Sequence, residues 1–185
     1  MTYDRSIDQA AYYYLARNGV DSLPVTLSAI ERMIRSEGYK VVMYALKEEL
    51  PQELRRYASF AAVTCTDGDG GTVYGNINFP LGERLFAMAH ELGHIVLRHV
   101  GVHACGAVRA YIEEEADTFA YAILAPLPVL WYYGARTAEG VQGCTLLSTE
   151  HANRVIERTS GREPTREEMS ILSQFWRPIT PTRLV

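Results

Sequence analysis

The sequence His90-Glu-Leu-Gly-His94 lies in a segment whose apolar residues recur at helical spacing, and this combination constrains the fold most strongly. The apolar positions are Leu85, Met88, Ala89, Leu92, Ile95 and Val96. They predict a helix from Gly82 to His99, ended by Gly101. Residues four apart share one helix face, so both imidazoles can reach one cation. Glu91 lies about 100° round the helix, where it can act as a general base without being a ligand.

The next helix, predicted from Tyr111 to Leu124 and closed by Pro126, offers a third metal ligand. Glu113 precedes two residues of its apolar face, Ala116 and Ala120, by three and seven positions and therefore points to the same side. Asp117, one turn further on, can accept a hydrogen bond from a ligand histidine. Glu114 and Glu115 are expected on more exposed sides. The alternative is that these glutamates are only a solvated helix start. Weaker alternative donors for the metal are His99, His103 and Cys105.

The rest of the chain predicts an α+β fold with a small antiparallel or mixed sheet and a helical bundle that carries the metal helix. Two helices, 8–18 and 26–37, come first. Strands follow at 39–45, 59–66 and 72–79, the last two joined by a turn at 67–71. The third strand can be either an edge strand that pairs with a substrate or an ordinary core strand. A glycine-rich loop then leads to two amphipathic helices, 148–158 and 165–176, of which the second begins with the capping box Thr165-Arg-Glu-Glu168.

Composition and cysteine usage narrow the class of protein. The chain has 22 acidic and 18 basic residues, a balance that does not suggest a nucleic-acid-binding protein. Three widely spaced cysteines without a CxxC pair argue against a disulfide scaffold and fit a reducing compartment. The first residues carry no apolar run of signal-peptide type, and the apolar stretch 119–135 is interrupted by Pro126 and Pro128. We therefore expect a cytoplasmic protein that is not bound to a membrane.

Four sequence segments together carry a family resemblance. They are Asn76-Ile-Asn78-Phe79, Arg84-Leu-Phe-Ala-Met-Ala-His-Glu-Leu-Gly-His94, the Glu-x-x-Ala-Asp-x-Phe-Ala pattern from Glu113 to Ala120, and Leu124-Ala-Pro126. In this combination residues 72–126 resemble the ImmA/IrrE family of bacterial and phage metallopeptidases. The combination is far more specific than the HExxH motif alone.

The resemblance implies a gluzincin-like zinc endopeptidase. It implies that Zn²⁺ is held by His90, His94 and Glu113, with Glu91 as the catalytic base and Asp117 supporting a ligand histidine. It also implies a minimal zincin-like domain, which we expect over residues 1–145, followed by a C-terminal helical hairpin over 146–185. The expected partner is a protein or peptide substrate, such as a helix-turn-helix repressor of a mobile element or a stress response.

Two alternatives remain at this point. The C-terminal helices can be a DNA-binding or protein-interaction module, because Arg154, Arg158, Arg162 and Arg166 recur every four residues. Five nearby glutamates dilute that positive charge, so we expect no direct contact with nucleic acid. The protein can also hold a metal without catalysing a reaction. Weak candidates for stabilising the oxyanion of a peptidase reaction are Arg109, Tyr111, Tyr121 and His103.

Overall fold

The computed structural model describes residues 5–67, 70–99 and 106–175. The helices are α1 (Arg5–Arg17), α2 (Leu27–Ser36), α3 (Leu81–Val96), α4 (Gly106–Leu124), α5 (Leu127–Tyr132), α6 (Ala138–Cys144), α7 (Thr149–Thr159) and α8 (Arg166–Met169). The strands are β1 (Tyr39–Tyr44), β2 (Ala62–Asp67) and β3 (Gly70–Asn76). Short 3₁₀ helices lie at Lys47–Glu49, Gln52–Tyr57 and Ser170–Gln174. The predicted α+β class is confirmed. In the described ranges, every helix is too short or too polar to cross a membrane.

The three strands form one mixed sheet in the order β1-β3-β2. Strand β1 runs parallel to β3, with Val41 opposite Val73, while β2 runs antiparallel to β3, with Val63 opposite Tyr74. The predicted third strand is therefore the central one, so of the two alternatives the core strand is correct. In this order β1 and β2 are the two edge strands of the sheet.

The structure divides into two compact units, of which one spans Leu27–Asp117 and contains α2, the sheet, α3 and the first part of α4. Helix α3 packs against α2, β2 and β3. Its residues Leu85, Met88 and Leu92 are fully buried, as the apolar pattern predicted. At Gly75 in β3, an added Cβ would lie 2.8 Å from Met43 and 3.1 Å from Met88, so the missing side chain permits this close packing.

Helix α3 ends at Val96, three residues before the predicted end at His99. Its last turn closes with two hydrogen bonds, from Arg98 N to Ile95 O at 3.2 Å and from His99 N to His94 O at 2.9 Å. This is the Schellman pattern, and its left-handed position is occupied by Arg98 with φ of 61°. The prediction that Gly101 ends the helix is wrong, because the helix stops before reaching it. Gly101 itself lies outside the described residues.

The second unit comprises residues 5–26 and 118–175. Its apolar core includes Leu15, Phe119, Ile123, Val129 and Val155. The predicted capping box of α8 is confirmed: Glu168 N donates to Thr165 Oγ1 at 3.2 Å, and Thr165 N donates to Glu168 Oε2 at 2.7 Å. The predicted domain boundary at residue 145 stays a prediction.

Two helices of this second unit were expected to be a loop. Helix α5 begins directly after Pro126, and α6 is capped by Thr137, whose side chain accepts a hydrogen bond from Gly140 N at 3.1 Å. Gly140 and Gly143 lie inside α6, where glycine disfavours helix formation. Tertiary packing outweighs the low helix propensity of these glycines, since Val141 of the same helix is fully buried.

Candidate metal centre

The two histidines of the HExxH segment come together on one face of α3. The Nε2 atoms of His90 and His94 lie 3.0 Å apart, and both rings are mostly buried. Glu113 of α4 completes the cluster: its Oε2 lies 3.3 Å from His90 Nε2 and 3.7 Å from His94 Nε2. Ligand atoms about 2.0–2.2 Å from a tetrahedral zinc ion are roughly 3.3–3.6 Å from one another. The donor set therefore suits a zinc ion in its chemistry, and its three separations lie within about 0.3 Å of this range.

The ring of His90 is held by Asp117. Asp117 Oδ1 lies 2.7 Å from His90 Nδ1. An ionised carboxylate can only accept, so His90 Nδ1 donates the proton and leaves the Nε2 lone pair facing the cluster. Burial opposes the charged imidazolium, but this hydrogen bond and the neighbouring carboxylates of Glu91 and Glu113 outweigh it and raise the pKa of His90.

The pKa of His94 is shifted in the opposite direction to that of His90. Burial and the adjacent charge on His90 lower the pKa of His94 to about 4. A neutral imidazole is the form that binds a metal, so His94 needs to release no proton on binding near neutral pH.

Glu91 lies beside the cluster and is held by the edge strand. The Thr64 hydroxyl donates a 2.6 Å hydrogen bond to Glu91 Oε2. Burial raises the pKa of Glu91, against the lowering effects of the Thr64 hydrogen bond and of His90. Thr64 was not identified from the sequence, because it precedes Glu91 by 27 residues and lies on a strand. No local spacing connects the two positions.

His99 and Glu115 also lie close to the cluster. The Nδ1 atoms of His99 and His94 are 3.3 Å apart, and His99 Nε2 is 3.1 Å from Glu115 Oε2. Within the described ranges, the three-donor cluster contains neither of these residues. The prediction that Glu115 faces solvent is wrong, since its side chain is only 20% exposed. The other alternative donors, His103 and Cys105, lie outside the described residues.

A cleft of about 530 Å³ opens at the cluster. Its lining includes the five ionisable residues His90, Glu91, His94, Glu113 and Asp117. The apolar residues of the lining are Leu54, Tyr57, Phe60, Ala61, Ala62, Val63, Phe86 and Ala87.

Of the proposed oxyanion donors, one lies at the cleft. Arg109 lines it, with its Nε 3.8 Å from Glu113 Oε1. The side chain of Tyr111 is exposed, and the Tyr121 hydroxyl lies 3.0 Å from His151 Nδ1. His103 lies outside the described residues.

Fold and site together define an α+β protein in which two histidines and one carboxylate, a donor set that could hold a metal ion, converge in a cleft. The family model Peptidase_M78, described as the IrrE N-terminal-like domain, matches residues 43–136, just over half of the chain. This range includes both α3 and α4 and therefore every residue of the candidate centre. The chain belongs to this family of metallopeptidases. The comparison with curated proteins gave no match.

Proposed function

We propose that this chain is a zinc-dependent endopeptidase in which His90, His94 and Glu113 bind Zn²⁺ and Glu91 is the general base. The observation that carries the proposal is the convergence of three donor atoms at 3.0, 3.3 and 3.7 Å beside the half-buried Glu91, all within one unit of the fold. Membership in a metallopeptidase family supports it independently. Two imidazoles and one carboxylate are a donor set that suits zinc.

The residues around the centre divide the work of peptide hydrolysis. A bound zinc ion supplies Lewis acidity, which makes water a nucleophile near neutral pH and polarises the scissile carbonyl. Glu91 accepts the proton of the attacking water and delivers it to the leaving amine. The hydroxyl of Thr64 donates a hydrogen bond to Oε2 of Glu91, which leaves Oε1 for the reacting water. Asp117 orients His90.

The cleft supports an extended peptide as the substrate. Strand β2 is an edge strand, and its residues Ala62, Val63 and Thr64 line the cleft beside Glu91. An extended segment can add to such an edge through main-chain hydrogen bonds, which places its backbone next to the catalytic base. The apolar part of the cleft lining, which includes Tyr57, Phe60 and Phe86, is suited to an apolar substrate side chain.

The partner in this proposal is a helix-turn-helix repressor, and the site of action is the cytoplasm, where such regulators work. This choice of substrate class rests on the resemblance to the ImmA/IrrE family alone. Direct binding to nucleic acid is not part of the proposal, because Arg154 contacts Glu150, Arg158 contacts Thr118 and Arg162 contacts Asp8. These three arginines are engaged within the chain, by partners in α7, α4 and α1 respectively.

The test compares cells that produce the native chain with cells that produce Glu91→Gln, and it records new protein N-termini by mass spectrometry. The amide cannot accept a proton, while the three metal ligands are untouched. We expect new N-termini within helix-turn-helix regulators only with the native chain. Identical N-termini in both samples, with zinc bound in both, would mean that the centre holds a metal without catalysis. Cleavage confined to other proteins would refute the repressor as substrate.

A further inference from the structure

The turn that ends α3 brings a third histidine back against the metal centre. Arg98 adopts φ of 61°, a left-handed conformation that is uncommon for residues other than glycine. This reverses the chain so that His99 N bonds to His94 O at 2.9 Å and the two rings meet edge to face, with centroids 5.4 Å apart. A helix that continued past Leu97 would carry residue 99 round by five steps of about 100°, away from the face of His94.

With a metal ion facing the Nε2 atoms of His90 and His94, the hydrogen bonds of this group have a consistent set of donors and acceptors. The Glu115 carboxylate can only accept, so the 3.1 Å contact requires a proton on His99 Nε2. A neutral His99 then has a lone pair on Nδ1, which can accept from His94 Nδ1 at 3.3 Å. His94 in turn carries its proton on Nδ1 and has its lone pair on Nε2, the atom that faces Glu113 and His90.

We propose that His99 and Glu115 are a positioning pair for His94, which fixes both its ring orientation and its Nε2 lone pair for metal binding. The inference rests on the proposed function, in which His94 is a zinc ligand. The two ligand histidines are then held by different devices: a carboxylate acts directly on His90, and a histidine backed by a carboxylate acts on His94. Both partners of His94 are largely shielded from water, with side chains 10% and 20% exposed.

A partner that orients a metal-binding histidine typically contributes 10–100-fold to metal affinity. The experiment measures the zinc dissociation constant by competition with a chromophoric chelator. The variants are His99→Leu, His99→Asn and Glu115→Ala. The matched control is Glu114→Ala, at the exposed position of α4 that directly precedes Glu115. We expect about 10–100-fold weaker binding for His99→Leu and a smaller loss for Glu115→Ala. The control should bind zinc as the native chain does.

His99→Asn separates positioning from packing. Its side-chain oxygen can accept from His94 Nδ1 as the imidazole does, although the amide is smaller than the ring. Rescue of zinc affinity by asparagine, relative to leucine, is therefore expected only if the hydrogen bond matters. Equal affinity for native chain and His99→Leu would overturn the inference, and so would equal losses for leucine and asparagine.

A spectroscopic readout needs no substitution. In the zinc-loaded native chain, ¹⁵N spectra of the imidazoles should show His94 with its proton on Nδ1 and His99 with its proton on Nε2. A His99 protonated on Nδ1 would contradict the pair even if His99→Leu fails to fold. Absence of zinc binding by the native chain would instead refute the proposed function itself, so the two failures are distinct.

Discussion

The carboxylate of Glu91 is held by hydrogen bonds from the side chain and the backbone of Thr64. Thr64 donates to it at 2.6 Å from the edge strand β2. The positions of His90 and His94 could be predicted, because helix geometry places residues four apart on one face. The contributions of Thr64, His99 and Glu115 could not. They depend on the pairing of β2 with β3 and on the turn at Arg98, which no local spacing encodes.

Thr64→Val should lower kcat about tenfold while the zinc content stays at the native level. Valine has nearly the same shape but no donor, and a hydrogen bond to a charged group contributes about 1.5–3 kcal/mol. Thr66→Val is the matched control, since it lies on the same face of β2 and is exposed. The measurement is kcat on a substrate identified by its new N-terminus, with zinc determined on the same samples. An unchanged kcat in Thr64→Val would contradict the role given to this hydroxyl.

Helix ends were the least predictable feature among the elements. The end of α3 follows from Arg98 at φ of 61°, and arginine gives no sequence signal for a left-handed position. Helix α6 was missed because Gly140 and Gly143 disfavour a helix locally. Capping chemistry was predictable where it is local, as at Thr165 and Glu168.

Arg98→Gly should leave stability unchanged or raise it by up to about 1 kcal/mol, because glycine adopts this conformation without steric cost. Arg98→Val should lower the free energy of unfolding by about 1 kcal/mol or more, because a β-branched residue is an outlier at positive φ. Urea unfolding of both variants measures the difference. Equal stability of glycine and valine at this position would contradict the left-handed turn.

The 3₁₀ helix at Lys47–Glu49 predicts a pH-dependent contribution to stability. Backbone N–H groups of Leu46 and Ala45 donate to Glu49 Oε2 at 3.0 and 2.7 Å and lower the pKa of Glu49 from 4.5. Because the folded pKa is depressed, the stabilisation is present above pH 4.5 and is lost as the pH falls through the folded value. Glu49→Gln should therefore be less stable than the native chain near neutral pH, and the gap should shrink in acid.

Urea midpoints of the native chain and Glu49→Gln, measured at neutral pH and well below pH 4.5, check this prediction. Glu48→Gln, the exposed neighbour in the same 3₁₀ helix, is the control. A difference between the two urea midpoints that grows in acid would contradict the prediction.

At the scale of the whole molecule, the periodicities of the sequence predicted the α+β class, but not which strand is central. Composition records 22 acidic and 18 basic residues without saying which are buried. In the unit formed by 5–26 and 118–175, Arg162 contacts Asp8 at 2.9 Å and Glu168 at 3.7 Å, and both carboxylates are almost fully buried. Arg162 and Asp8 lie 154 positions apart in the sequence, so no local motif predicts their contact.

Arg162→Met should lower the free energy of unfolding by about 3–5 kcal/mol, because it removes the ion pair of the buried Asp8 and leaves Arg5 as the cation beside the buried Glu168. Arg154→Met provides the contrast: its pair with Glu150 is exposed on both sides and is worth less than about 0.5 kcal/mol. Denaturant unfolding of the two variants should separate them clearly. Similar losses in both would show that the buried network does not stabilise this unit.

The central claim is a three-ligand zinc centre, and the most direct test is the metal content per chain. The protein is purified without chelators or a histidine tag and analysed for its elements. We predict about one zinc per chain, lost in His90→Ala and reduced in Glu113→Gln, because each variant removes one of the three converging donors. A native chain that contains no zinc and takes none up on titration would contradict the account.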